Sequence, residues 1–501
     1  MKLSPAVAYY TSAALLAVAA IKDPVKTADG PVSGVTLKSG VRVFKGIPFA
    51  APPVGPLRWR EPQPPQRWSQ VRKADTFGNV CMQPSMLDQR VPANVAVDLP
   101  DSSQVSEDCL YLNVWTSANR AGARLPVMVW IYGGAYREGA GSSPHNDGEE
   151  LARKGVVLVN FNYRLGPFGF FSHPELTKES GRNASGNQAL MDSIVVLKWV
   201  RTNIAAFGGD PGNVTIFGQS AGAAMAGGLV GSPIAKGLFQ RAIAQSGHWM
   251  GLGMAHMITL AQAERGAAPG PGRGPQKGPA PLETATLPLA ELRSRPANDV
   301  LKTIRGAGMI IDGWIVPEDE SITFADRRQN AVDLIVGSNK DEQMSFGGNI
   351  AFRNNLVWAS RLFAERQTAL GKRAYWYYFT HEPPLEPGVR DLKATHAAEI
   401  PYVFKTLAAP RSVPDLSSPR LAAASEKDRA LAEQISSYWV NFAKTGDPNG
   451  RDLPTWARFQ DRNSEPHILG EMAEVPGADV LNPLDEAYEK LLANLRSASR
   501  R

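Results

Sequence analysis

The residues best suited to do chemistry lie at 218–222, where the sequence reads GQSAG. This Gly-x-Ser-x-Gly pattern follows an apolar run at 214–217 and precedes a stretch of small residues at 221–227. A buried strand that turns sharply into a helix holds the serine between them in a strained conformation, with its hydroxyl exposed. Glycines on both sides are needed because side chains there would collide with neighbouring backbone. The pattern therefore predicts a nucleophilic Ser220 at the N-terminus of a helix.

A serine hydroxyl becomes a nucleophile only when a base takes its proton, and the base needs an orienting acid. On a strand–turn–helix nucleophile the chain order is serine, acid, then histidine. Three of the seven histidines come late enough to serve, namely His381, His396 and His467. His381 directly follows a predicted strand and His467 lies in a short apolar run, which favours structural roles for both. His396 lies where a loop leads into a helix, and we predict it as the base.

The acid is expected just past the C-terminal end of a strand, where a doubly wound sheet places its functional groups. Glu342 fits this position because it follows the apolar run 333–337 and a short loop. Asp341 is the adjacent competitor. The pattern favours a Ser220–Glu342–His396 triad.

Small residues also follow the apolar run 125–132, where the sequence reads GGA at 133–135. Small residues let backbone N–H groups approach the oxyanion of a tetrahedral intermediate. We predict the amides of Gly134, Ala135 and Ala221 as its donors. The alternative is a simple glycine turn.

The segments that would position these groups alternate between short apolar runs and amphipathic stretches. Short apolar runs bounded by glycine are typical of strands buried on both faces of a sheet. Residues 187–204 have apolar side chains at helical spacing, which predicts a helix. This alternation predicts an α/β protein, with a mostly parallel central sheet covered by helices on both faces. The Gly/Pro-rich segment 266–281 has little to bury and is expected to form a flexible surface loop within a single domain, 21–501.

Composition limits the partners and cofactors. The 501 residues are 20% charged and 43% hydrophobic, and the net charge is +6. Lys and Arg are scattered rather than clustered, which makes nucleic acid an improbable partner. No Cys/His cluster has zinc spacing, and no glycine-rich motif has the context of a nucleotide site, so we expect neither a metal nor a cofactor.

The first 20 residues contain one lysine, an apolar stretch and a small-x-small pattern at 17–19. We interpret residues 1–20 as a signal peptide and expect a secreted or periplasmic protein without a stable membrane anchor. The alternative is a buried or frayed N-terminal helix. In an oxidising compartment Cys81 and Cys109 can close one loop; otherwise they are two buried thiols.

Several longer motifs occur in an order typical of one family. The chain resembles type-B carboxylesterases, the group that includes cholinesterases and bacterial para-nitrobenzyl-type esterases. The blocks that carry the resemblance are FKGIPFA (44–50), EDCLYLNV (107–114), NYRLG (162–166), FGGDP (207–211), GQSAG (218–222), GSNKDE (337–342), HAAE (396–399) and NFAKTGDP (441–448).

The resemblance implies an α/β-hydrolase fold, with Glu342 rather than Asp341 as the acid. It also implies a disulfide between Cys81 and Cys109, and a supporting role near the site for Ser246. The segment between Glu342 and His396 looks short for the family, with residues missing around 346–352, which suggests a reshaped wall beside the site.

The expected activity is that of a serine carboxylic-ester hydrolase acting on a small-molecule ester through an acyl-enzyme. One alternative is a non-catalytic binding or adhesion protein on the same fold. Another is hydrolysis of a related bond, in an amide, carbamate or polyester. A cholinesterase is disfavoured because residues 82–108 contain no aromatic side chain to face a quaternary ammonium.

Overall fold

The computed structural model describes residues 23–83, 105–247, 249–252, 257–266, 286–306, 308–385, 391–408 and 423–498. The predicted signal peptide at 1–20 and residues 267–281 of the predicted loop lie outside these ranges. Within the described residues, no helix is long and apolar enough to cross a membrane. No group of three or more metal-ligating side chains comes together in that part of the chain either.

Fifteen strands are present in the described residues. They are β1 Val25–Lys26, β2 Pro31–Ser33, β3 Val35–Thr36, β4 Arg42–Pro48, β5 Arg72–Lys73, β6 Val80–Cys81, β7 Val105–Ser106, β8 Tyr111–Thr116, β9 Leu125–Ile131, β10 Val157–Phe161, β11 Gly209–Gln219, β12 Arg241–Gln245, β13 Asp333–Asn339, β14 Ala374–Phe379 and β15 His467–Leu469.

The α-helices of the same residues range from single turns to about twenty residues. They are α1 Glu149–Arg153, α2 Gly166–Gly169, α3 Pro174–Glu179, α4 Gln188–Asn203, α5 Ala221–Gly231, α6 Leu260–Glu264, α7 Leu289–Ser294, α8 Ala297–Thr303, α9 Glu320–Ala325, α10 Ile350–Thr368, α11 Ile400–Phe404, α12 Glu426–Thr445 and α13 Ala478–Ala498.

The centre of the molecule is a sheet with the strand order β15-β14-β13-β12-β11-β9-β10-β8-β4-β3. Neighbouring strands from β10 through to β15 are parallel, and β8, β4 and β3 add antiparallel pairs at the other end. Strand β10 and nearly all of β9 and β13 are buried along their length, as expected for strands covered on both faces. The predicted mostly parallel α/β sheet is confirmed.

Parallel pairing brings the C-terminal ends of four central strands, β9, β11, β12 and β13, to one edge of the sheet. The register pairs Gly218 of β11 with Ile131 of β9, Gln219 with Gln245 of β12, and Gln245 with Gly337 of β13. Functional groups that follow these strands are therefore brought to the same edge.

Cys81 and Cys109 form a disulfide, with their Cα atoms 5.0 Å apart. Both side chains are buried in the main core beside β8. The loop that they close includes residues 84–104, which lie outside the described ranges.

Candidate active site

Ser220 lies on the turn between β11 and α5, as predicted. Its φ of 56° and ψ of −123° are strained for a residue with a side chain, and it is only half-buried. Its backbone N–H donates to the carbonyl oxygen of Gln245 (2.8 Å), which ties the turn to the end of β12. The position at the N-terminus of α5 favours negative charge developing near its hydroxyl.

The glycines of the motif are required by close backbone packing. A Cβ built on Gly222 would lie 2.0 Å from the carbonyl oxygen of Ile131, and one on Gly218 would lie 2.6 Å from the same oxygen. Strand β9 therefore runs directly against the turn that carries Ser220. An alanine at either position would force the turn and β9 apart.

The loop after β9 lies against Ser220. A Cβ built on Gly133 would lie 3.1 Å from Cβ of Ser220. The next three residues, Gly134, Ala135 and Tyr136, have φ values of 103°, 54° and 62°, so the backbone stays in the left-handed region for three residues. The carbonyl oxygen of Gly134 accepts from the N–H groups of the residues three and four positions later (2.9 and 3.2 Å), which curls the loop.

The amides of Gly134, Ala135 and Ala221 have no hydrogen-bond acceptor among the described residues. They are the three amides that the sequence predicts as oxyanion donors. Two come from the curled loop after β9, and the third begins α5 next to Ser220.

Glu342 and His396 are in direct contact, although they are 54 residues apart in the chain. Nδ1 of His396 donates to Oε2 of Glu342 (2.5 Å), and both side chains are buried. The backbone N–H of Asn339 donates to the other carboxylate oxygen (2.8 Å). A carboxylate on Nδ1 fixes the imidazole tautomer and leaves Nε2 as the proton acceptor.

Nε2 of His396 faces the turn that carries Ser220. It lies 3.2 Å from Nε2 of Gln219, the residue directly before Ser220. With Nδ1 donating to Glu342, the amide of Gln219 is placed to donate to this nitrogen, which therefore lies beside the turn that carries Ser220. This contact could not be predicted from the sequence, because a glutamine inside the motif carries no distinguishing signal.

Asp341, the competing acid, is engaged elsewhere. Its backbone N–H donates to the carbonyl oxygen of Ala394 (3.0 Å), and its carboxylate accepts from the N–H of Ala394 (3.3 Å). Burial raises the pKa of Asp341. It joins the two loops that carry Glu342 and His396, and its own hydrogen bond is to backbone rather than to the imidazole.

The two other late histidines have surroundings of a different kind. His381 lies between Glu471 and Asp428. His467 stacks on Trp456, with 4.9 Å between ring centroids and 14° between ring planes, and burial lowers its pKa to about 4. Neither environment brings the imidazole to Ser220.

Ser246 follows β12, next to the turn that carries Ser220, with a φ of 52°. Its backbone N–H donates to the carbonyl oxygen of Gly337 (2.8 Å), and its buried Oγ has no partner among the described residues. A Cβ on the next residue, Gly247, would lie 2.6 Å from the carbonyl oxygen of Ser220. Ser246 therefore lies beside the backbone of the turn.

Two phenylalanines border the imidazole. The ring of Phe346 lies 5.2 Å from that of His396 and 4.0 Å from that of Phe352. Phe346 is partly exposed and Phe352 is buried. Both residues lie in the segment that looks shortened in the sequence, and that shortening indicates a changed wall at this place. The sequence does not show that the two rings contact His396.

A mostly parallel sheet whose strand ends present a serine on a strand–turn–helix, a carboxylate and a histidine defines the α/β-hydrolase class. The chain matches the carboxylesterase family over residues 22–357 and 346–475. It is 34% identical to fumonisin B1 esterase of Sphingopyxis macrogoltabida over 511 aligned positions, which cover 91% of this chain and 88% of that protein. It is 33% identical to para-nitrobenzyl esterase of Bacillus subtilis, with 93% and 98% of the two chains covered.

Solved structures show the same relationship. A para-nitrobenzyl esterase superposes with a TM-score of 0.75 at 31% identity, covering 93% of this chain and 99% of that one. A Geobacillus stearothermophilus carboxylesterase superposes with a TM-score of 0.73 at 30% identity, covering 93% and 99%. The chain belongs to the carboxylesterase family, and it is a carboxylic ester hydrolase.

Proposed function

We propose that this esterase works through an acyl-enzyme formed on Ser220, with His396 as the base and Glu342 as the orienting acid. The observation that carries the proposal is the hydrogen bond from Nδ1 of His396 to Glu342 (2.5 Å), with Nε2 directed at the residue before Ser220. This is the relation between base and acid that a serine nucleophile requires.

In the first half-reaction Oγ of Ser220 attacks the ester carbonyl carbon, and its proton passes to Nε2 of His396. The carbonyl π electrons move to oxygen, giving a tetrahedral oxyanion, while Glu342 stabilises the imidazolium. Collapse of the intermediate breaks the bond to the alcohol oxygen, which leaves with the proton from Nε2. Water then attacks the acyl-enzyme by the same steps and releases the carboxylic acid and Ser220.

The oxyanion is bound, in this proposal, by the amides of Gly134, Ala135 and Ala221. Their N–H groups have no acceptor among the described residues, and the loop that carries two of them packs against Ser220. Donors that are already in place are the principal means of stabilising such an intermediate. Ser246 supports this arrangement from behind the turn.

We propose a small organic ester with an apolar part as the substrate class. The rings of Phe346 and Phe352 provide an apolar surface beside His396, where one end of the ester would lie. The names of the relatives, fumonisin B1 esterase and para-nitrobenzyl esterase, indicate esters of small organic molecules as substrates of those proteins.

The test compares Ser220→Ala with Ser193→Ala, a matched control. Ser193 is also buried, but its Oγ donates to the carbonyl oxygen of Ala189 within α4. We expect Ser220→Ala to lose p-nitrophenyl ester hydrolysis and labelling by an organophosphate, and Ser193→Ala to keep both. Unlabelled wild-type protein would indicate the non-catalytic binding alternative, and unchanged hydrolysis in Ser220→Ala would reject this nucleophile.

The related-bond alternative needs a separate measurement. Esters and amides that share the same acyl group, together with a carbamate and a soluble polyester fragment, can be compared by kcat/KM. We expect the ester to be hydrolysed fastest. A higher value for the amide, the carbamate or the polyester would reassign the bond.

We also propose export through residues 1–20. The Cys81–Cys109 disulfide supports this because disulfides persist in oxidising compartments. N-terminal sequencing of protein recovered outside the cytoplasm is expected to begin near residue 21. A mature chain that keeps residue 1 would reject the cleavage.

A further inference from the structure

The contact between Glu342 and His396 depends on how two separate loops are held together. Glu342 follows β13, and His396 lies in a loop that comes after β14. A misplacement of about 1 Å between catalytic groups can cost about 100-fold in rate. A side chain that bonds both loops therefore controls the reaction without touching the substrate.

Asn339, the last residue of β13, bonds both loops. Its backbone N–H donates to Oε1 of Glu342 (2.8 Å). Its side-chain Nδ2 donates to the carbonyl oxygen of Thr395 (2.7 Å), the residue directly before His396. One residue thus holds the acid by its main chain and the base-bearing loop by its side chain.

The same Nδ2 also donates to Oε2 of Glu399 (2.6 Å), a second buried carboxyl group three residues after His396. The other oxygen of Glu399 accepts from Nε2 of Gln245 (3.0 Å), which lies at the end of β12. Both hydrogens of the Asn339 amide are therefore used, one on each side of His396 in the chain.

Gln245 extends this network back to the nucleophile. Its carbonyl oxygen accepts the backbone N–H of Ser220 (2.8 Å), and its side-chain Oε1 accepts from Nε1 of Trp439 (3.0 Å). The chain of contacts therefore runs from Glu342 through Asn339, Glu399 and Gln245 to the backbone of Ser220. Asn339 is the member that touches the segments of both the acid and the base.

We propose that Asn339 is a positioning residue that keeps Glu342 and His396 in register, with Glu399 as the acceptor that anchors its amide. This inference rests on the proposed function, because it concerns the geometry of the same acid and base. Asn339 acts through the positions of Glu342 and His396 and not through contact with the substrate.

The first experiment replaces Asn339 by leucine, which keeps the size but removes both donors. We expect kcat per organophosphate-titrated site to fall about 10- to 100-fold with little change in KM, because substrate binding is untouched. The acid limb of the kcat/KM profile should shift to lower pH, because an imidazolium that has lost its carboxylate partner is less stable. A structural role alone would change neither the normalised kcat nor this limb.

Asn160→Leu is the matched control. Asn160 is equally buried, on β10, and its amide donates to the carbonyl oxygen of Asn146 and accepts from Asn113. We expect it to lower the melting temperature and to leave normalised kcat and the pH profile unchanged. If Asn339→Leu behaves in the same way, the inference is overturned.

A second experiment tests whether Glu399 holds the side chain of Asn339, by replacing the donor at position 339 with an acceptor. In Asn339→Asp two carboxyl groups face each other where the amide was, so activity should fall further as the pH rises. Adding Glu399→Gln supplies a donor to the new aspartate, and we expect the double variant to recover part of kcat. No recovery at any pH would overturn the role of Glu399.

The outcomes also separate this inference from the proposed function. If wild-type protein is neither labelled nor inactivated by an organophosphate, the proposed function fails. If wild-type protein is labelled and active while Asn339→Leu matches the control, the proposed function stands and only the positioning role is rejected.

Discussion

Two buried histidines near the C-terminal edge of the sheet have carboxylate partners, but they are arranged differently. His396 donates from Nδ1 to Glu342, and its Nε2 faces the Ser220 turn through Gln219. His381 has a carboxylate on each nitrogen, with Glu471 on Nδ1 (3.0 Å) and Asp428 on Nε2 (2.7 Å). The residue types are the same, and the number of carboxylates differs.

That difference distinguishes the proposed base, His396, from a structural clamp, by which we mean His381 held between Glu471 and Asp428. Each nitrogen of His381 faces a carboxylate, so neither is open to take a proton from a serine hydroxyl. His381 joins the end of β14 to the N-terminus of α12, through Asp428, and to the segment after β15, through Glu471. One carboxylate orients an imidazole for proton transfer, whereas two hold it in place as part of the scaffold.

The largest expected effect comes from replacing each of the two histidines in turn. His396→Ala should lower kcat by on the order of 10⁴-fold or more, as for other bases of serine nucleophiles. His381→Ala should keep kcat per folded molecule. Turnover of a p-nitrophenyl ester, divided by the concentration of folded protein from circular dichroism, measures both. Comparable losses in the two variants would mean that the clamp takes part in catalysis.

The next largest effect is expected from replacing the carboxylate that contacts His396. Glu342→Gln should lower kcat by on the order of 10³- to 10⁴-fold, because an amide cannot stabilise the imidazolium or fix its tautomer. The neighbouring Asp341→Asn is the control, since Asp341 bonds the backbone of Ala394 rather than the ring, and an amide oxygen in its place can still accept that N–H. The fall in kcat for Asp341→Asn should be far smaller. An equal fall in the two variants would indicate that Asp341 is the acid.

Much of the fold and the candidate triad could be predicted from the sequence because the signals are local. The buried strands read as continuous apolar runs, and the glycines of 218–222 are dictated by backbone contacts that any such turn must make. The order of serine, acid and histidine then restricted the histidine candidates to three. The structure brings Glu342 and His396 into contact, and the triad as a whole stays a prediction.

The remaining contacts could not be predicted because they join distant segments through ordinary residues. Asn339 and Gln219 are polar residues in buried runs, and nothing in their own sequence context shows which loop lies opposite. The wall formed by Phe346 and Phe352 depends on where a shortened segment folds back. Pairings of this kind are set by tertiary packing, for which a single sequence carries no periodic signal.

A smaller effect concerns the clamp and its dependence on pH. Although burial opposes its charge, hydrogen bonds from Ser425 and His381 lower the pKa of Asp428 to about 2. A folded-state pKa below the unfolded value of about 4 gives stability that is present above pH 4 and lost as the pH falls towards 2. Asp428→Asn should therefore be less stable near pH 7, with a smaller loss of stability between pH 4 and 2.

Breaking such a buried pair typically costs about 3 kcal/mol in the free energy of unfolding. Urea unfolding of wild type and Asp428→Asn at several pH values measures both the cost and its pH dependence. Glu342→Gln is the comparison variant, and its main effect should be on kcat. An Asp428 variant that matches wild type at every pH would show that the two carboxylates do not hold His381 as a clamp.

The smallest expected effect concerns the surroundings of His396 rather than its partners. Phe346 contacts the ring of His396 edge-on and is partly exposed, so it can border a bound ester without fixing the triad. Phe346→Ala should leave turnover of a short-chain ester nearly unchanged and lower kcat/KM for a longer apolar ester by roughly tenfold, the usual effect of lost apolar contact in a pocket. Phe379→Leu is the control beside His381, since Phe379 is buried 6.4 Å from that ring. Phe379→Leu should not change the ratio of kcat/KM between the two esters. An equal loss of kcat/KM on both esters in Phe346→Ala would mean that the Phe346 ring supports the imidazole and does not contact the substrate.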